Sequence, residues 1–93
     1  MAGDRLDLGA DPKLAWAQAH PDRYPVEGNR VDRRALLRLP GIGPVAVEAI
    51  LAARREGRLR SPEALLRLGA AARALAWVTV DGRRAAQQLA LGL

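Results

Sequence analysis

Cysteine is absent from this chain. That excludes disulfides, thiolate zinc sites, iron–sulfur clusters and cysteine nucleophiles together. Aromatics are scarce: Trp16, Trp77 and Tyr24, with no Phe. With Val and Ile runs also missing, the residues that favour strands are in short supply, and a sheet-built fold is not expected. No apolar run approaches 18 residues and no charged-then-apolar leader opens the chain. Neither export nor membrane insertion is therefore expected, and a soluble cytoplasmic protein fits. His20 is the single histidine; lacking a Cys or second His beside it, it reads as a capping or packing residue. The carboxylates are scattered, with no pair placed for acid–base work, and Ser61 reads as a helix cap, not a nucleophile. No catalytic constellation, cofactor or metal site is expected.

What is present points to helices. The chain has 93 residues, 49% hydrophobic and 27% charged, enough for one small domain and too apolar for disorder. Ala and Leu dominate, and both are good helix formers, so the expected class is all-α. Of 15 basic residues all but Lys13 are arginine, against 10 acidic ones, for a net charge of +5. An Arg/Ala/Leu-rich composition also arises from GC-rich coding sequence, so placement carries more weight than overall charge. Residues 1–29 hold three basic and five acidic groups, residues 30–60 eight and three, and residues 61–93 four and two. Positive charge is concentrated in the middle.

Residues 1–10 show no periodicity and are expected to be loosely ordered. Asp11-Pro12 opens a helix, as N-cap and first residue, that His20-Pro21 stops. A loop over 20–30 follows, with Tyr24 and Val26 expected to pin it to the core. Asp32 caps a short helix over 33–39 with Leu36, Leu37 and Leu39 as its apolar positions. Pro44 begins another running to about Arg55, where Ala46, Ala49, Ile50 and Ala53 form a stripe and Gly57 is the stop. Ser61-Pro62-Glu63 starts a helix to about Leu68; Ala70–Ala76 reads as a further short helix. Residues 77–80 read as an extended segment without a sheet, Asp81-Gly82 as a turn, and 83–91 as a last helix or tail.

The informative stretch is Leu39-Pro40-Gly41-Ile42-Gly43-Pro44-Val45-Ala46, between two short helices. Two glycines around one apolar residue permit a tight turn with no Cβ on its outer face. Ile42 can point inward, leaving the amides of Gly41, Gly43 and Val45 to face outward at a helix N-terminus. Unengaged amides and the positive helix end together favour an anion. The stretch resembles a helix-hairpin-helix DNA-binding motif in Leu39, Gly41, Ile42, Gly43, Ala46 and Ile50. The resemblance implies a compact, SAM-domain-like bundle of about five short helices over residues 11–82. It also implies a grip on DNA phosphates by the amides of Gly41, Gly43 and Val45, without sequence reading.

Residues 58–66, Arg58-Leu59-Arg60-Ser61-Pro62-Glu63-Ala64-Leu65-Leu66, are similar to the linker of the competence-protein type of tandem helix-hairpin-helix domain. Leu68-Gly69-Ala70-Ala71 falls where its second hairpin belongs, with Ala71 in place of the second Gly, so that hairpin reads as degenerate and structural, the rival role being a contact with nucleic acid. Asp11-Pro12-Lys13-Leu14-Ala15-Trp16-Ala17, His20-Pro21, Tyr24-Pro25-Val26, Asn29-Arg30 and the hairpin resemble the C-terminal region of a bacterial radical-SAM family. Its members are described as DNA modification or repair proteins, often linked to uracil-DNA glycosylases. The cluster-binding cysteines of that family are missing, so no radical chemistry carries over.

Arg38, Arg54, Arg55 and Arg58 either add charge to a phosphate grip or form a solvated face; the same two readings stand for Arg30, Arg33, Arg34 and Arg60. Trp16 and Trp77 read as core residues, the rival role being stacking on unpaired bases. The expected function is DNA binding in repair or modification, by a module that is not itself an enzyme. The alternative is an adaptor docking a radical-SAM enzyme or a uracil-DNA glycosylase.

Overall fold

Most helix signals in the sequence mark helix ends in the computed structural model, which describes residues 11–85. The expectation for residues 1–10 lies outside the described residues, as does most of the last helix or tail expected over 83–91, of which residues 83–85 are described and are not helical. Helix α1 spans Pro12–Ala19, with the Asp11 carboxylate accepting from the amides of Lys13 and Leu14 at 3.0 and 3.3 Å. A single 3₁₀ turn, Pro21–Arg23, follows the stop at His20. Helix α2 spans Arg33–Arg38, and its cap Asp32 accepts from Ala35 N at 2.8 Å. Helix α3 is the longest element, Pro44–Glu56, entered through Gly43 and Pro44 and ended by Gly57. Helix α4, Glu63–Arg67, and a 3₁₀ helix, Ala72–Trp77, complete the helical part.

The chain is mostly helical, and the expectation of an extended segment without a sheet needs correcting. Val78–Thr79 is extended as expected, but it pairs in parallel with Val26–Glu27. Val26 stands opposite Val78 and Glu27 opposite Thr79, and Gly28 N donates to Thr79 O at 2.7 Å beyond them. We name these strands β1 (Val26–Glu27) and β2 (Val78–Thr79). Two residues are too few for a period-2 pattern, and the partners lie 52 positions apart, so nothing local announces the pair. Asp81 and Gly82 both have positive φ (55° and 76°), and Val80 and Arg83 exchange backbone bonds at 2.9 and 3.0 Å. This two-residue reversal has the twist of a type I′ turn.

The core gathers Leu36, Leu39, Ile42, Val47, Ile50, Leu65, Leu75, Val78 and Val80, each at most 1% exposed. Each large aliphatic side chain contributes about 1.5–3 kcal/mol by leaving water. On α3 the stripe is Ala46, Val47 and Ile50; Ala49 and Ala53 are only half-buried. Leu37 of the α2 trio points outward. Tyr24 and Val26 do pack against this core. Ser61 does not cap α4 through its hydroxyl. Its carbonyl and that of Pro62 instead accept from Ala64 N and Leu65 N at 3.1 and 3.0 Å, a tight 3₁₀-like first turn.

Candidate nucleic-acid interface

The turn between α2 and α3 is built from the inside out. Ile42 is 1% exposed and anchors it, and its amide donates to Leu39 O at 3.2 Å. Gly41 has φ +86°, a region that L side chains avoid, and a Cβ there would meet Ala74 N and Arg73 Cγ at 3.1 Å. Gly41 O accepts from Ala71 N at 2.8 Å, which ties this turn to the 68–71 turn. The side-chain ammonium of Lys13, on α1, donates to Ile42 O. Partial burial lowers the Lys13 pKa, Asp11 nearby raises it, and Arg73 lowers it. Two elements, α1 and the 68–71 turn, thus clamp the carbonyl side of the turn.

The amide side is left open. Among the described residues, the N–H groups of Gly41, Gly43 and Val45 meet no protein acceptor. Gly43 is exposed in extended backbone (φ −104°, ψ 179°), and a Cβ built on it meets nothing within 4 Å. Val45 is 85% exposed. These amides open a 13-residue helix whose dipole adds positive potential. Asp11, Lys13, Gly41, Ile42, Gly43 and Arg73 line a depression of about 280 Å³ at the turn. Lys13 and Arg73 are cations at this site that the sequence did not single out. Arg73 is 3.9 Å from Asp11 and Lys13 is held by a carbonyl, so among the described residues neither charge is cancelled by a tight carboxylate pair.

No family model, curated protein or solved structure matches this chain. The site rests on its own geometry.

The second turn differs from the first in the one respect that matters for anions. Gly69 also has positive φ, +109°. Its amides, however, are engaged: Gly69 N on Leu66 O at 3.1 Å, Ala70 N on Leu65 O at 3.0 Å, and Ala71 N on Gly41 O. Ala71 stands where Gly43 stands in the first turn, and its amide holds the two turns together. The 68–71 turn therefore has a structural role, as its sequence indicates.

The arginines singled out from sequence divide into two places. Arg38, closing α2, lies over Trp16, its guanidinium carbon 4.9 Å from the ring centroid. Arg54, Arg55 and Arg58 sit at the far end of α3 and just beyond it. Its 13 residues at 1.5 Å each put them about 20 Å from Gly43, too far to share an anion with the turn. Arg54 is committed structurally, with Nη1 donating to Gly28 O at 3.2 Å and Val31 O at 2.7 Å. Arg58 lies 3.6 Å from Asp81. Ile42, also singled out, anchors the turn from within and presents no side chain to a ligand.

Trp77 packs against the core edge, 5.3 Å from Tyr24 in an edge-to-face arrangement. Trp16 is a correction: it is half-buried outside the core, stacked on His20 at 4.0 Å and edge-on to Tyr24 at 6.3 Å. His20 stacks on the ring, and the guanidinium carbons of Arg38 and Arg23 lie 4.9 and 5.7 Å from its centroid. His20 Nδ1 donates to Trp16 O at 2.7 Å, a packing role as expected. Among the described residues no cluster of His, Cys, Asp and Glu could hold a metal ion, and no helix is long and apolar enough to cross a membrane.

Proposed function

We propose that this chain is a nucleic-acid-binding module of the helix-hairpin-helix kind. The amides of Gly41, Gly43 and Val45 take successive backbone phosphates of DNA, with Lys13 and Arg73 supplying charge beside them. Binding of this type positions the protein without reading bases, because phosphates carry no sequence. It suits a module that brings a repair or modification activity to DNA, the chemistry belonging to a partner such as a radical-SAM enzyme or a glycosylase. One observation carries the reading: three amides without protein acceptors among the described residues stand at an exposed glycine turn where a helix begins. The adaptor alternative has less behind it, since the exposed large apolar side chains among the described residues are Leu37 and Val45.

Affinity for duplex DNA should be weak, on the order of micromolar or poorer, and should fall steeply with salt. The test is fluorescence anisotropy with a labelled duplex across a salt series, comparing the natural chain with Gly43→Val. Nothing lies within 4 Å of the added Cβ, so the fold tolerates the change while the phosphate position is obstructed. A loss of tenfold or more is expected. Equal affinity for both proteins, or no binding by the natural chain, would sink the reading.

A further inference from the structure

The far end of α3 carries a feature that the turn does not explain. Two open depressions of about 500 and 480 Å³ lie side by side there and share Asn29 and Arg58. Five arginines line them, Arg30, Arg33, Arg54, Arg55 and Arg58, against two carboxylates, Glu27 and Asp81. Both carboxylates have other work. Glu27 accepts from the amides of Asn29, Asp81 and Gly82 and from the Thr79 hydroxyl, and Asp81 faces Arg58 at 3.6 Å. Arg33 pairs with Glu48.

The remaining charges are uncompensated by carboxylates among the described residues. Arg54 bonds only neutral carbonyls, Gly28 O and Val31 O, so it draws the 28–31 loop onto α3 and keeps its full charge there. Asn29 fastens the same loop to the 58–60 segment, giving its Nδ2 to Leu59 O at 3.0 Å and accepting from Leu59 N at 2.7 Å. Arg30 and Arg55 are exposed and meet no acidic partner among the described residues. The basic groups are therefore held on a braced surface, not on free loops.

We infer that this arginine-lined face is a second, separate binding surface for nucleic-acid backbone, taking phosphates about 20 Å from those at the Gly41–Gly43 turn. The inference rests on the function proposed above and adds where the second contact lies. A tandem arrangement would draw that contact from the 68–71 turn, whose amides are engaged within the protein. Guanidinium groups fork onto phosphate oxygens and stay charged at any relevant pH, so they can replace backbone amides in this role. Twenty ångströms is about six base pairs of a duplex at 3.4 Å each, a separation well within the length of a short duplex.

The test compares three proteins binding a labelled 20-base-pair duplex by anisotropy over a salt series: the natural chain, Gly43→Val, and Arg30→Gln/Arg55→Gln/Arg58→Gln. Arg30 and Arg55 make no side-chain hydrogen bond or ion pair among the described residues, and Arg58 makes one weak pair, so the triple variant folds; circular dichroism verifies it. Each phosphate contact contributes about 0.9 to the salt slope. The triple variant should therefore lose tenfold or more in affinity and two to three in slope. Gly43→Val should lose affinity while keeping most of its slope, since it removes no charge. A triple variant within twofold of the natural chain, at the same slope, overturns the second surface and leaves the turn's role standing if Gly43→Val is still weakened. Unchanged binding by Gly43→Val, with a weakened triple variant, does the reverse. A natural chain that binds no duplex overturns both.

Discussion

Replacing Glu27 with Gln removes a single negative charge from the point where the two ends of the fold are joined. Its Oε2 accepts from Asn29 N at 3.0 Å, Asn29 Nδ2 at 3.2 Å and Asp81 N at 2.9 Å; its Oε1 accepts from Gly82 N at 2.9 Å and Thr79 Oγ1 at 3.1 Å. Burial alone would raise this carboxyl, but the amides of Gly82, Asn29 and Asp81 and the Thr79 hydroxyl together bring it from 4.5 down to about 2. At 1.36 kcal/mol per pH unit that is about 3 kcal/mol, and water around a half-buried group reduces it to about 2. Gln cannot restore it, because its NH₂ would face N–H donors whichever way the amide is turned. For a domain of this size, 2 kcal/mol lowers the thermal midpoint by about 8–16 °C. Because the folded carboxyl is the stronger acid, its contribution is complete above about pH 4.5 and disappears as pH falls toward 2. Melting both proteins from pH 7 to pH 2.5 should show a wide gap that narrows over that window. A gap under 3 °C at pH 7, or one constant across the window, would refute the reasoning.

The two glycines of the α2–α3 turn should behave oppositely. Gly41→Ala, forced to φ +86° against Ala74 N, should cost about 2–3 kcal/mol in thermal or urea unfolding. Gly43→Ala, with open space around its Cβ, should cost less than about 1 kcal/mol. Asn29→Ala removes both bonds to Leu59, and a loss of about 2 kcal/mol is expected in urea unfolding. Lys13→Gln and Arg73→Gln should each weaken duplex binding severalfold and lower the salt slope by about one, measured by anisotropy.

Helix positions were legible because caps and stops are local. Asp11-Pro12, Asp32, Pro44 and Gly57 each act within a few residues, and each marks its boundary in the structure. The Gly41–Gly43 turn was legible for the same reason, down to the buried Ile42. Contacts that close the fold were not. Glu27 meets the 79–82 segment more than 50 positions away, Asn29 meets Leu59 30 positions away, and Lys13 meets Ile42 29 positions away. Loop residues carry no periodicity from which such partners can be read. The arginines were countable in sequence, but not their division between the two ends of α3, which depends on how the 28–31 loop folds back under Arg54. Trp16 was misjudged because scarcity of large side chains suggested a core role, whereas it stacks at the surface with His20 and Arg38.

The amides themselves can be watched directly. In a ¹H–¹⁵N correlation spectrum of labelled protein titrated with duplex DNA, the signals of Gly41, Gly43 and Val45 should move most among the backbone amides, shifting downfield as phosphate oxygens accept from them. Amides of the 68–71 turn, already bonded within the protein, should move little. DNA binding that leaves Gly41, Gly43 and Val45 in place would contradict the account.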